Sequence, residues 1–130
     1  MGEWGAGPFD NDDAADWVYE LEEFPAISTL RRALDIATMR YLEVREASVA
    51  VAAAQIVAAA LGHRGPALPT QAAAWVQDHS ATVTDQERTL AVAAVDRVLG
   101  DYSELYALWA ESPDAGWNDQ MQDLRRRLGP

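Results

Sequence analysis

The sequence predicts an all-α fold: a single compact bundle of about six or seven short helices around a central apolar helix, preceded by an irregular N-terminal arm. Three observations lead to this prediction. Apolar residues recur at helical spacings of three and four along most of the 130 residues. Residues 45–61 are apolar almost all round, and no segment of useful length alternates with period two. By the usual size rule we expect residues 1–130 to form one domain.

The N-terminal segment predicts an arm followed by a helix. Glycine and proline make residues 1–9 irregular, with Trp4 and Phe9 as the sizeable apolar side chains. Asp10 with Asp13 resembles a capping box, and Pro25 marks the helix end. Between them lies an apolar face at i, i+3, i+4 and i+7, formed by Ala14, Trp17, Val18 and Leu21.

Two further helices are predicted between residues 28 and 61. Ser28 is a good N-cap residue for a second helix, whose apolar spacing continues to Tyr41. A third helix, over residues 43–61, is apolar on nearly every side, which is typical of a helix covered by its neighbours. Gly62 is placed as its C-cap. This third helix is therefore the predicted centre of the core.

Four more helices are predicted in the second half of the chain, because capping residues precede apolar residues at helical spacing. The capping residues are Pro69-Thr70, the box Thr84–Glu87, Ser103, and Ser112-Pro113. The last helix carries Trp117, Met121, Leu124 and Leu128 at i, i+4, i+7 and i+11. Short connections of this kind favour antiparallel neighbours.

Composition excludes several classes of function. The chain has no cysteine, which removes disulfides, thiolate metal sites and cysteine nucleophiles. Its formal net charge of −11 disfavours nucleic acid and anionic membranes, because phosphate contacts need clustered cations. Residues 1–5 do not resemble a signal peptide, and the apolar run 47–61 is too short for a bilayer. We expect a cytoplasmic protein that binds neither nucleic acid nor membranes.

Common catalytic patterns are also missing from the sequence. The serines form neither a G-x-S-x-G nor an S-x-x-K motif. His63 and His79 have no ligand type at the i+4 spacing of zinc helices, and residues 5–8 lack the lysine of a phosphate loop. We therefore predict no catalytic residue and no cofactor.

Acidic residues concentrate at the N-terminus, where eight of them precede the first basic residue, Arg31. Acids in a first helical turn stabilise the helix by roughly 0.3 to 1 kcal/mol each, which explains their position without any ligand. Five of them also form a candidate acidic face for a basic partner: Asp12, Asp13, Asp16, Glu20 and Glu23.

A metal site is a second interpretation of the acidic residues. Carboxylates are the ligands that Mg²⁺ and Ca²⁺ prefer, and the candidates are Asp10, Asp12, Asp16, Glu43 and Glu46. The spacing fails the EF-hand pattern, because its positions six and twelve hold Ala15 and Leu21. For Glu43 and Glu46 we favour a structural role, capping a helix end or satisfying a buried backbone group, over lining a polar cavity.

Trp4 is the one tryptophan outside a predicted helical face. It either docks onto the bundle or remains exposed beside acids, where aromatic residues are enriched in binding hot spots. We favour docking and retain Trp4 as a candidate partner-binding residue.

The residue pattern resembles a bacterial family, domain of unknown function 4259. The resemblance lies in the opening Met1-Gly2-x-Trp4-Gly5-x-Gly7-x-Phe9-Asp10-Asn11-Asp12-x-Ala14-x-Asp16-Trp17, and in Tyr41-Leu42-Glu43, Leu68-Pro69 and Ser103-Glu104-Leu105-x-x-Leu108-Trp109. It implies a compact bacterial helical domain and supplies no reaction, cofactor or substrate.

The leading functional hypothesis is a non-enzymatic protein-interaction protein of the immunity, accessory or regulatory kind, whose acidic face binds a basic protein. A metal-assisted enzyme that uses the aspartate cluster is the alternative. Nucleic-acid mimicry ranks last, because only 8 of the 21 acids lie in the N-terminal segment.

Overall fold

Seven α-helices form the bundle in the computed structural model, which describes residues 7–63, 65, 68–111 and 116–129. They are α1 (Asp12–Glu23), α2 (Ile27–Leu34), α3 (Val44–Ala60), α4 (Thr70–His79), α5 (Asp85–Val98), α6 (Glu104–Ala110) and α7 (Gly116–Leu128). A 3₁₀ helix, Ser80–Thr82, follows α4. No β-strand occurs in these residue ranges, so the predicted all-α class is confirmed.

The centre of the bundle is α3, as the sequence predicts. It contacts each of the other six helices, and 12 of its 17 residues are buried. Its many alanines let neighbouring helices approach closely, while Ile56 and Val57 fill the middle of the core. Gly62 ends the helix in the left-handed region (φ 93°), and the amide of His63 donates to the carbonyl of Ala58 at 2.9 Å. This confirms Gly62 as the residue that terminates α3.

The surrounding helices bury the faces that their spacing predicts. The apolar stripe of α1 is buried, and so is the stripe of α7. Ser103 caps α6 by accepting from the amide of Tyr106, and Thr84 and Glu87 form the predicted capping box of α5. Ser112 and the arm residues 1–6, including Trp4, lie outside the described residues, so their predicted roles are not tested here.

Two predicted helix starts are wrong by a small margin. Asn11, not Asp10, caps α1, because the Asn11 side chain accepts from the amide of Ala14 at 2.8 Å. Asp10 instead accepts from the amide of Gly7 at 3.1 Å. At α2 the cap position is held by Ala26 without any side-chain bond, and Ser28 lies exposed in the first turn. A helix supported by tertiary packing does not require the best capping residue.

The predicted extension of the second helix to Tyr41 is also wrong. The chain leaves α2 at Asp35, Ile36 turns inward and is buried, and Tyr41 is exposed. Tertiary bonds hold the following segment out of the helix: Leu42 forms a β-bridge with Ser103. Arg97 donates to the carbonyl of Met39 at 3.0 and 3.2 Å and to the carbonyls of Arg40, Asp101 and Tyr102. The loop 35–43 is thereby fixed against the α5–α6 connection.

One buried carboxylate joins α5 to α2. Glu87 is fully buried; one carboxylate oxygen accepts from the amide and hydroxyl of Thr84 at 2.7 Å, and the other accepts from Nε of Arg31 at 2.7 Å. Burial alone raises the pKa of Glu87, but the bonds from Thr84 and the guanidinium of Arg31 outweigh it and lower the pKa below its ordinary value.

No helix in the described part of the chain is both long enough and apolar enough to cross a membrane.

Candidate functional site

The predicted acidic face lies on one side of α1. With 3.6 residues per turn, its five carboxylates fall within an arc of roughly 100° beside the buried stripe. They are Asp12, Asp13, Asp16, Glu20 and Glu23. Asp13, Asp16, Glu20 and Glu23 take part in none of the ion pairs found among the described residues. No arginine of the described bundle therefore neutralises these four charges through a direct ion pair.

Two exposed aromatic residues flank the acidic face. Tyr19 is 60% exposed and lies one helical turn from Asp16 and from Glu23. Phe24, at the C-cap of α1, is 56% exposed. The sequence analysis did not single out either residue, although both lie outside the apolar stripe that the spacing of α1 defines.

A cleft of about 420 Å³ opens beside this face, between α1, α2, the loop 35–43 and the start of α3. Its charged lining consists of Asp13, Asp16, Glu20, Arg32, Asp35, Arg45 and Glu46. Its remaining lining consists of Trp17, Thr29, Ala33, Ile36, Met39 and Val49. One edge of the acidic face of α1 is therefore also a wall of the cleft.

The cleft carries an excess of negative charge. Five carboxylates and two arginines line it, which leaves three more negative than positive charges. None of these seven groups forms an ion pair with another at 4 Å or less, because every ion pair among the described residues lies elsewhere. Arg32 and Arg45 are exposed, so water screens their charges.

Glu46 contributes a buried acceptor without a partner. Its Oε2 atom is buried and accepts no hydrogen bond. A buried polar atom without a partner costs free energy, and the cost is larger for a charged group. The structure thus places Glu46 in the polar cavity that the sequence analysis considered and did not favour.

The favoured capping role of Glu43 and Glu46 is wrong. Glu43 occupies the N-cap position of α3 but makes no side-chain capping bond. The amide of Val44 donates instead to the carboxylate of Glu104 at 2.9 Å. The cap of α3 therefore comes from α6, about sixty residues further along the chain.

The five metal-ligand candidates do not assemble into one site. Among the described residues, no group of three or more His, Asp or Glu side chains is arranged to hold a metal ion. Asp16 and Glu46 line the cleft, whereas Asp10, Asp12 and Glu43 do not belong to its lining.

A second, more basic cavity lies near the end of α7, lined in part by His63, Arg88, Arg126 and Arg127. Its arginines already have partners. Arg127 donates to the carboxylate of Asp123, to the carbonyl of His63 and to Oε1 of the buried Gln55. These bonds give the basic cavity a structural role.

The fold and the cleft define a small all-α protein with an acidic surface on its first helix and a cleft beside it. The model of the family described as "Domain of unknown function (DUF4259)" matches residues 2–120, and the chain belongs to this family. This confirms the family resemblance seen in the sequence. No curated protein and no solved structure is significantly similar to the chain.

Proposed function

We propose that the protein is a non-enzymatic interaction protein, of the immunity, accessory or regulatory kind, that binds a basic partner protein through the acidic face of α1. The observation that carries the proposal is the arc of five carboxylates on α1, of which Asp13, Asp16, Glu20 and Glu23 take part in none of the ion pairs among the described residues. Such a surface attracts a basic protein and orients it during encounter.

The distribution of arginine supports a binding role over a purely solubilising one. Carboxylates on α5 and α7 have arginine partners, as in Arg125 with Asp96 and Arg127 with Asp123. The carboxylates of the acidic face other than Asp12 form no such ion pair within the described part of the chain, and exposed Tyr19 and Phe24 lie beside them. Aromatic residues next to a charged rim are characteristic of protein-binding hot spots. No grouping of described carboxylates favours the metal-assisted alternative.

Neutralising the acidic face is expected to abolish partner binding. The variant changes the three aspartates of the face to Asn and its two glutamates to Gln, which reduces the net charge from −11 to −6. We expect affinity-tagged wild type to recover a basic protein from a lysate of the native host, and the variant to bind that protein at least roughly tenfold more weakly. Titration of the purified partner in a calorimeter measures the difference.

A matched control removes the same charge from exposed acids outside the face: Glu22, Asp78, Asp101, Glu111 and Asp119. This control is expected to keep the wild-type affinity, because only the position of the lost charges differs. Recovery of the same proteins, at equal affinity, by wild type and by the α1 variant would show that the acidic face is not the binding surface.

A further inference from the structure

We infer that the cleft between α1, α2 and α3 receives a cationic side chain of the partner, an ammonium or guanidinium group carried on an apolar stem. The inference rests on the proposed function and specifies which chemical group of the basic partner is recognised.

The cleft has room for such a side chain, and its lining is chemically compatible with one. Its volume of about 420 Å³ lies in the range of roughly 300 to 1,000 Å³ that is typical of ligand pockets. Trp17, Ile36 and Val49 offer apolar surface for the methylene groups of a lysine or an arginine. The indole of Trp17 also attracts a cation that lies over its face.

The charges of the cleft select a cation over an anion. Carboxylates from three elements line it, namely Asp16 on α1, Asp35 after α2 and Glu46 on α3. An entering anion would meet five carboxylates and two arginines. The two arginines of the lining are exposed, so water screens their repulsion of an entering cation.

A cationic side chain would supply the hydrogen-bond donor that the unpartnered oxygen of Glu46 lacks. Lysine carries three N–H donors and arginine five, and neither side chain group has an acceptor. A bond from either to Oε2 of Glu46 would be charge-assisted and would satisfy the buried atom. The cleft is thus an acceptor site next to a surface already suited to a basic protein.

The test uses three small probes and the whole protein. N-acetyl-lysine amide, N-acetyl-arginine amide and the uncharged N-acetyl-norleucine amide are titrated into ¹⁵N-labelled protein and followed by NMR. We expect saturable shifts of the Trp17 indole and of the Thr29 and Val49 amides with a cationic probe and none with norleucine. The cationic probe that binds with the higher affinity identifies the group, ammonium or guanidinium, that the cleft prefers.

Two single substitutions complete the test. Glu46→Gln is expected to weaken binding of the cationic probe about tenfold, because the loss of one charge-assisted hydrogen bond has a cost of this size. Glu43→Gln removes the same charge three residues away, from an exposed side chain that does not line the cleft, and should leave binding unchanged. Both variants should melt cooperatively, because neither glutamate makes a hydrogen bond on which the fold depends.

Any of three results would overturn the inference. The two substitutions could weaken probe binding equally, norleucine amide could cause shifts as large as those of the cationic probes, or no probe could cause a saturable shift. The proposed function fails separately. If the native partner depends on the acids of α1 but the cationic probes do not bind, only the cleft inference is wrong. If the probes bind and the partner ignores the acids of α1, the cleft recognises a cationic group, but the proposed interaction surface is wrong and the group does not come from that partner.

Discussion

Replacing Ile56 by alanine is expected to lower the free energy of unfolding by about 3 to 4 kcal/mol. Ile56 is fully buried in α3, the helix that contacts all six others. Removing its outer methyl and methylene groups loses their transfer free energy and leaves a cavity. Neighbouring alanines such as Ala52 and Ala53 have no long side chains that could move into that space.

Urea unfolding followed by far-UV circular dichroism measures this loss. The control is Phe24→Ala, which deletes a larger side chain that is 56% exposed, and it should cost less than about 1 kcal/mol. If Ile56→Ala were no more destabilising than Phe24→Ala, α3 would not be the packing centre of the bundle.

The substitution Glu87→Gln is expected to cost about 2 kcal/mol at pH 7. It exchanges an ionised acceptor for a neutral amide that satisfies Thr84 and Arg31 less well. Losing one partner of a fully buried ion pair costs roughly 3 to 5 kcal/mol. The cost is smaller here because Arg31 is 42% exposed, and solvent screening weakens its interaction with Glu87.

The effect of Glu87→Gln should depend on pH in one direction. Because the pKa of Glu87 is lowered in the folded protein, its carboxylate stabilises the fold above the ordinary value of about 4.5. That contribution disappears as the pH falls through the lowered folded-state pKa. The gap between wild type and Glu87→Gln should therefore be largest near neutral pH and should narrow in acid.

Urea unfolding of both proteins at pH 7, 5 and 3 tests this dependence. Asp85→Asn is the control: it removes one charge from the same first turn of α5, from a side chain that is 92% exposed. We expect the control to cost less than about 1 kcal/mol. A gap between wild type and Glu87→Gln that stays constant or widens in acid contradicts the pKa argument.

Helical periodicity predicted most of this fold because it reports directly on burial. The apolar stripes of α1 and α7 and the nearly uniform α3 are each the local signature of one buried face. Capping residues predicted the helix start correctly where their side chains accept a hydrogen bond from an amide of the first turn, as Thr84 and Ser103 do.

Local spacing failed where distant residues decide the backbone. Ala37 and Tyr41 continue the helical spacing of α2, but the bonds of Arg97 and the bridge between Leu42 and Ser103 hold this segment outside the helix. Those partners lie about sixty residues away in the chain. No local pattern reveals them.

The acidic face could be predicted from the sequence and the cleft could not, for the same reason. The face is a property of one helix, so its five carboxylates could be assigned from helical geometry alone. The cleft requires α1 and α2 to pack against α3, which places Glu46 in the same lining as Asp13 and Asp16. A glutamate in the first turn of a mostly apolar helix was a local sign of it.

The most direct test of cation recognition by α1 and the cleft is an NMR titration of the ¹⁵N-labelled protein with a short lysine- and arginine-rich peptide. The protein carries exposed acids on or beside helices that make no extensive contact with α1, such as Asp101, Glu111 and Asp119, which act as internal controls. We predict saturable shifts confined to residues 12–24 and to the amides that line the cleft. Shifts of similar size around these three acids would show that the peptide follows net charge alone and would contradict the account.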